Sequence, residues 1–121
     1  MILGVGTDLC RISRMRKASA SEYFVRKIFS PEEIEYARSK GNPAEHFAAA
    51  FAAKEALAKA SGLGIFGIGL SGSMVRRTEA GPVIIYGGAL MKKFEALGVK
   101  KCWLSLTHEG DLALAFVVIE S

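Results

Sequence analysis

Ala44-Glu45-His46-Phe47-Ala48-Ala49-Ala50-Phe51-Ala52-Ala53-Lys54-Glu55-Ala56-Leu57-Ala58-Lys59-Ala60 reads as one helix. Alanine loses no side-chain entropy on entering a helix and dominates this stretch, with Phe47, Phe51 and Leu57 supplying bulk for a core. Ser61-Gly62-Leu63-Gly64 closes it, and Gly62 is the expected residue just past the end, where the chain turns left-handed. A helix this slim and this apolar must lie at the centre of whatever surrounds it.

Upstream, Ser30-Pro31-Glu32-Glu33 is a helix start. Ser30 caps, Pro31 fits the first helical position, Glu33 completes a capping box, and the acids face the positive end of the dipole. That helix should run to about residue 39 and stop at Lys40-Gly41-Asn42-Pro43. A further helix is expected over residues 21–28, with a basic connector or short helix at 11–17. Ile2-Leu3-Gly4-Val5-Gly6-Thr7-Asp8-Leu9 alternates large with small residues and predicts a strand ending near Asp8. The glycines inside it call for a close backbone approach or a bend.

Downstream, Gly67, Gly69 and Gly72 predict a flexible stretch before a strand at about 73–77. A turn at Glu79-Ala80-Gly81-Pro82 leads into a strand at 83–86, and residues 89–97 form a helix that stops at Gly98. Two strands, 102–106 and 112–119, close the chain as an antiparallel hairpin across Thr107-His108-Glu109-Gly110-Asp111. With no repeat or linker, residues 1–121 read as one α+β domain, a small antiparallel sheet packed on a long central helix and shorter helices.

At 121 residues and 50% apolar side chains, the chain is long enough for a core without staples. Cys10 and Cys102 stand apart in apolar surroundings, without a CxxC or Cys/His cluster, and read as reduced, buried thiols. No apolar run approaches the ~18 residues of a membrane span, and no signal peptide is visible, so the expected location is the cytoplasm and no membrane is a partner. The net charge of +4 is lopsided: residues 1–27 hold six basic side chains (Arg11, Arg14, Arg16, Lys17, Arg26, Lys27) against Asp8 and Glu22. Such a field attracts an acidic partner.

Three groups of residues could do chemistry. Asp8 interrupts an apolar strand end and must be solvated, hydrogen-bonded, or bound to a cation. Glu55 and Lys59 lie one turn apart on the long helix, either as an ordinary surface pair or as a carboxylate and ammonium beside a ligand. Ser105-Leu106-Thr107-His108-Glu109 offers hydroxyls and an imidazole that could hold a phosphate, or His108 could simply serve the turn. There is no P-loop, Gly4-x-Gly6 is too short for a dinucleotide fingerprint, and no GxSxG points to a serine hydrolase. Mg²⁺ takes one or two carboxylates, several waters and substrate phosphate oxygens, so two carboxylates, a lysine and a hydroxyl/imidazole group point to a phosphate ester or pyrophosphate.

The chain resembles the small holo-acyl-carrier-protein synthases of the 4′-phosphopantetheinyl transferase family almost end to end. The matching residues are Ile2-x-Gly4-Val5-Gly6-x-Asp8, Arg14, Arg26-Lys27-Ile28-Phe29-Ser30-Pro31-Glu32-Glu33, Phe51-Ala52-Ala53-Lys54-Glu55-Ala56-x-x-Lys59-Ala60-x-Gly62-x-Gly64, Gly81-Pro82 and Ser105-Leu106-Thr107-His108. The resemblance implies that Asp8 and Glu55 bind Mg²⁺, which also holds the pyrophosphate of coenzyme A. It implies that Lys59 contacts phosphates as the third catalytic residue, that Gly62 and Gly64 pass close to the cofactor, and that Ser105, Thr107 and His108 help hold its 3′-phosphate end. The serine of an apo acyl carrier protein would attack the β-phosphoryl group, 3′,5′-ADP would leave, and the proton would go to a metal-bound water or to Glu55. The reaction would serve fatty acid biosynthesis. Family members are trimers with active sites between subunits, and Arg14 and Arg26 would meet the acidic carrier protein.

Two positions depart from the family pattern. Ala50 stands where an arginine is common, and Leu63 where a polar residue is common. Either the cofactor is held more weakly or another basic group takes over. The rival from another class, a basic nucleic-acid-binding module, would need exposed aromatics for stacking, whereas the aromatics here are mostly at core-like spacings and the basic segment interleaves none apart from Tyr23 and Phe24, so nucleic acid is not an expected partner.

Overall fold

The chain forms β1 (Ile2–Arg11), α1 (Ile12–Ala18), α2 (Glu22–Ile28), α3 (Pro31–Arg38), α4 (Pro43–Ser61), α5 (Gly64–Ile68), β2 (Ser73–Thr78), β3 (Gly81–Tyr86), α6 (Gly88–Leu97), β4 (Lys101–Glu109) and β5 (Leu112–Glu120). This is a computed structural model, and it describes residues 1–69 and 71–121. β1, β5 and β4 pair antiparallel in that order, and β2 pairs with β3 in a separate hairpin. The architecture is α+β, as the sequence predicts.

The helix starts and stops follow from local chemistry. Ser30 accepts from Glu33 N (3.1 Å) while the Glu33 carboxylate accepts from Ser30 N (2.9 Å), completing the capping box. Gly62 ends α4 at φ 72°, a left-handed conformation that costs glycine nothing. α1 borrows its cap from the far end of the chain. Asp111, in the β4–β5 turn, accepts from Ser13 N (2.9 Å) and Ser13 Oγ (2.6 Å).

α4 is the centre of the core. Ala48, Ala52, Ala56 and Leu57 have no exposed surface, and neither do Ala113, Ala115 and Val117 of β5. A Cβ on Gly6 would overlap the Ala56 carbonyl oxygen and lie 2.8 Å from Ala60 N; one on Gly4 would overlap the Ala60 carbonyl oxygen. The glycines of β1 therefore serve close approach: helix backbone sits where side chains would stand. Strand alternation then places Asp8 and Cys10 on this same helix-facing side of the sheet, with Ala115 and Leu106 in register with Asp8 across β5 and β4.

The other face of the sheet carries Val5, Leu9, Trp103 and Phe116, which are 56%, 57%, 49% and 41% exposed. Exposed apolar faces of this kind are where proteins commonly meet other molecules. No helix among the described residues is long and apolar enough to cross a membrane.

Several elements differ from the expectation. β1 does not end near Asp8 but continues to Arg11, because Asp8 is accommodated within the strand by an ion pair. The glycine-rich stretch contains a short helix, α5. β4 extends through Thr107 and His108, leaving only Gly110 and Asp111 for the turn. Cys10 and Cys102 are free, and each is partly rather than fully buried; burial raises both thiols, Cys102 to about 11.

Candidate active site

The close contact of β1 with α4 brings together three side chains from two elements. Lys59 donates from Nζ to Asp8 Oδ1 at 3.0 Å and to the Thr7 carbonyl at 2.9 Å. The Asp8 side chain is 18% exposed and that of Lys59 57%, so the pair sits at the surface, not in the core. Glu55, one turn before Lys59, has its carboxyl raised above the ordinary glutamate range, first by burial and then by the charge of Asp8, with Lys59 opposing. Two carboxylates that feel each other in a partly dry setting, with a single ammonium paired to one of them, leave negative charge only partly offset.

Among the described residues, no three His, Cys, Asp or Glu side chains gather as a metal cluster. Asp8 and Glu55 are a two-carboxylate donor set, which suits an ion that keeps water and phosphate oxygens in its shell and does not suit zinc.

The neighbouring lysine of the same helix has a different fate. Lys54 is 2% exposed; its Nζ lies 3.3 Å from Glu33 Oε1 and donates to the Ser73 carbonyl. Glu33 Oε2 in turn accepts from Val75 N at 2.9 Å. Burial lowers the Lys54 ammonium, and Glu33 opposes that shift. This buried pair ties α3, α4 and β2 together and fixes the rotation of the helix face that carries Glu55. No spacing in the sequence joins residues 33 and 54.

Ser105, Thr107 and His108 do not form one cluster. Ser105 and Thr107 pair with Phe116 and Leu114 and point to the apolar outer face, whereas His108 pairs with Ala113 and points to the helix side. There His108 Nε2 lies 3.0 Å from Glu45 Oε1 of α4. His108 stands on β4, on the far side of β5 from β1, so it does not join Asp8, Glu55 and Lys59. Gly62 and Gly64 are exposed at the end of α4 and the start of α5, both with left-handed φ.

Arg14 projects from α1 beside a hollow of about 280 Å³ floored by Leu9, Met15, Ala18, Phe24 and Phe51. Arg26, on α2, pairs with Glu22 at 3.2 Å; Arg38 also pairs with Glu22. Arg26 borders a second hollow of about 430 Å³ that includes Phe29, Met74 and Tyr86. Both arginines are exposed on the strongly basic N-terminal part of the chain.

The family model of the 4′-phosphopantetheinyl transferase superfamily matches residues 4–117. The chain is 37% identical to a holo-[acyl-carrier-protein] synthase of Geotalea daltonii over 99% of each chain. The crystal structure of the holo-[acyl-carrier-protein] synthase of Neisseria meningitidis superposes with a TM-score of 0.92 at 38% identity, covering 100% of both chains. A holo-(acyl-carrier-protein) synthase of Bacillus anthracis, solved in complex with CoA (3′,5′-ADP), superposes at 0.82 with 32% identity over 100% of this chain and 98% of that one.

Proposed function

The chain belongs to the 4′-phosphopantetheinyl transferase superfamily, and on that premise we propose that it is a holo-acyl-carrier-protein synthase whose centre is Asp8, Glu55 and Lys59, serving fatty acid biosynthesis in the cytoplasm from a single domain spanning residues 1–121. It moves the 4′-phosphopantetheine arm of coenzyme A to a serine of apo acyl carrier protein. The observation that carries this reading is the meeting of Asp8, Glu55 and Lys59 where β1 crosses α4, inside a fold shared over its full length with synthases of that name.

In the reaction the serine Oγ bonds to the β-phosphorus, the pyrophosphate P–O bond breaks, and the bridging oxygen leaves with 3′,5′-ADP. Asp8 and Glu55 would hold Mg²⁺, which when bound neutralises phosphate charge. Lys59, anchored by Asp8 and the Thr7 carbonyl, presents its remaining donor capacity to phosphate oxygens. The serine proton has two acceptors open to it, Glu55 and water. Gly62 and Gly64 are exposed backbone beside Lys59, where a nucleotide can lie close to the chain.

The outer face of the sheet supports a homotrimer with active sites between subunits. Covering Val5, Leu9, Trp103 and Phe116 by neighbours removes an apolar patch from water, and it brings Ser105 and Thr107 of one copy up to another. The separation of His108 from Asp8 within a subunit is then no obstacle, since one coenzyme A touches two copies. Arg14, beside its apolar hollow, and Arg26 suit an acidic, partly apolar carrier-protein surface.

Intact-mass measurement of an apo acyl carrier protein incubated with this protein, coenzyme A and Mg²⁺, with and without EDTA, tests the reading. A metal-dependent gain of one phosphopantetheine is expected. No gain with several carrier proteins would overturn it.

A further inference from the structure

α1 carries Arg14, and it is too short to hold itself. It has seven residues, whereas helices under ~12–15 residues are marginal in water, and Arg11 at its N-cap position contributes no side-chain cap. Its first turn is held instead from the β4–β5 turn. Asp111 takes up the first two helical N–H groups: its carbonyl accepts from Ile12 N at 2.8 Å and its Oδ1 from Ser13 N at 2.9 Å. Oδ2 accepts from Ser13 Oγ at 2.6 Å, so both carboxylate oxygens are engaged by one residue. These N–H groups are among those a helix leaves without a partner of its own, and a carboxylate there also meets the positive end of the dipole.

Arg14 is the third residue of α1, next to the clamped Ser13, so it lies inside the turn that Asp111 holds. A helix advances about 100° per residue, and a first turn that unwinds swings Arg14 away from the side it faces. That side is the apolar hollow floored by Met15, Ala18, Phe24 and Phe51. Ile12 and Met15 are buried on the inner side of α1, and Arg16 donates to Asn42 Oδ1 at 3.1 Å, but neither contact gives the opening N–H groups a partner. Asp111 itself is set by the hairpin, where Glu109 pairs with Leu112 and Gly110 turns the chain at φ 58°.

We propose that Asp111 is a positioning residue for carrier-protein recognition, holding the first turn of α1 so that Arg14 meets the carrier beside the apolar hollow. The inference rests on the reading in which Arg14 contacts the acidic carrier protein. Charge alone would give the opposite sign. Arg11 and Arg16 both feel the Asp111 carboxylate, so removing it makes this surface more basic and would tighten an acidic partner held by the field only. Removing a clamp that aims Arg14 loosens that partner instead.

Steady-state transfer, with the carrier protein varied at saturating coenzyme A and then the reverse, separates the two. It is measured for the parent, Asp111→Ala, Asp111→Asn, Ser13→Ala, Arg14→Ala and the Asp111→Ala, Arg14→Ala double variant. Asp111→Ala should raise KM for the carrier about tenfold and leave kcat and KM for coenzyme A within about twofold. Asp111→Asn, which removes the charge but keeps an acceptor for Ser13 N, should recover most of the loss. Ser13→Ala keeps both N–H bonds and should raise the carrier KM about threefold. In the Arg14→Ala background Asp111→Ala should add little, because the side chain it aims is gone. A carrier KM unchanged or lowered in Asp111→Ala, a loss spread over kcat and both KM values, or effects that multiply with Arg14→Ala overturn the inference and leave the transferase reading intact. If Asp111→Ala fails to fold, Ser13→Ala decides, and an unchanged carrier KM there overturns the inference. An Arg14→Ala variant with the parent's carrier KM removes the docking role of Arg14 and the inference with it, while a parent without transfer removes the transferase reading as well.

Discussion

Replacing Gly6 with alanine tests whether the site depends on β1 lying against bare helix backbone. The added Cβ would overlap the Ala56 carbonyl oxygen and stand 2.8 Å from Ala60 N, where ordinary contacts begin at 3.4 Å. The opposing atoms are helix backbone and cannot rotate away, so α4 and β1 must part by about an ångström. Overpacking typically costs ~1–3 kcal/mol, and with rigid neighbours the upper end applies. At ~2.1 cal/mol/K per residue, 121 residues have an unfolding entropy near 0.25 kcal/mol/K, so ~3 kcal/mol lowers Tm by ~12 °C. The same parting carries Glu55 and Lys59 away from Asp8, and an ångström of misplacement costs ~10²-fold in rate. Gly41→Ala is the control: a Cβ there meets nothing within 4 Å, so Tm and rate should hold. Thermal melts, with kcat/KM measured well below both midpoints, give the two readouts. If Gly6→Ala keeps its Tm within 2–3 °C and its rate within about threefold, the close-approach argument is wrong.

Glu55→Gln should lose at least ~10²-fold in transfer and yet melt higher at neutral pH in the absence of Mg²⁺. Its carboxyl is raised when folded, so its stabilising contribution exists below the ordinary 4.5 and is lost as pH rises through the folded value, leaving the neutral amide better tolerated at pH 7. Lys54→Met strands Glu33 as a buried charge and should cost ~3–5 kcal/mol in urea unfolding, with Glu33→Gln added to it restoring part of the loss. Arg14→Glu should weaken carrier-protein binding about tenfold, with reduced salt dependence, and leave coenzyme A binding unchanged; surface binding kinetics would show the reverse if the arginine served the donor. Hydrogen bonds from Ser13 lower the Asp111 carboxyl, so its grip on α1 is complete above the ordinary 3.8 and is lost as pH falls below it; circular dichroism of Asp111→Asn should lack that acid-side transition of the parent.

Local signals were read directly from the sequence. Ser30 with Glu33, and Gly62 after the alanine run, each specify a conformation through their own side chain or its absence, and both are found as expected. Long-range partnerships were not visible. Glu33 reads as a capping residue, and nothing in the spacing links it to Lys54 until the fold brings them to 3.3 Å. Arg11 looks like the start of a basic connector, yet it closes β1, because β5 offers pairing all the way to Leu112. The separation of His108 from Ser105 and Thr107 did have a signal: in a strand, neighbours face opposite ways, so Ser105 and Thr107 could not share a side with His108 once β4 was known to reach residue 109. For the proposed catalytic trio, Glu55 and Lys59 were legible as helical neighbours. Their meeting with Asp8 required the glycines of β1 to be understood as the place where α4 touches down.

The outer face of the sheet also gives the protein an optical gauge. Trp103 is the only tryptophan in the chain, half exposed on that face, with its indole N–H donating to Glu120 at 2.7 Å and Lys101 poised 3.8 Å from the ring centroid. Indole emission moves to shorter wavelength as water leaves the ring. Dilution of the unlabelled protein in a fluorimeter therefore reports whether that face is covered, through a side chain that stands outside the proposed catalytic trio.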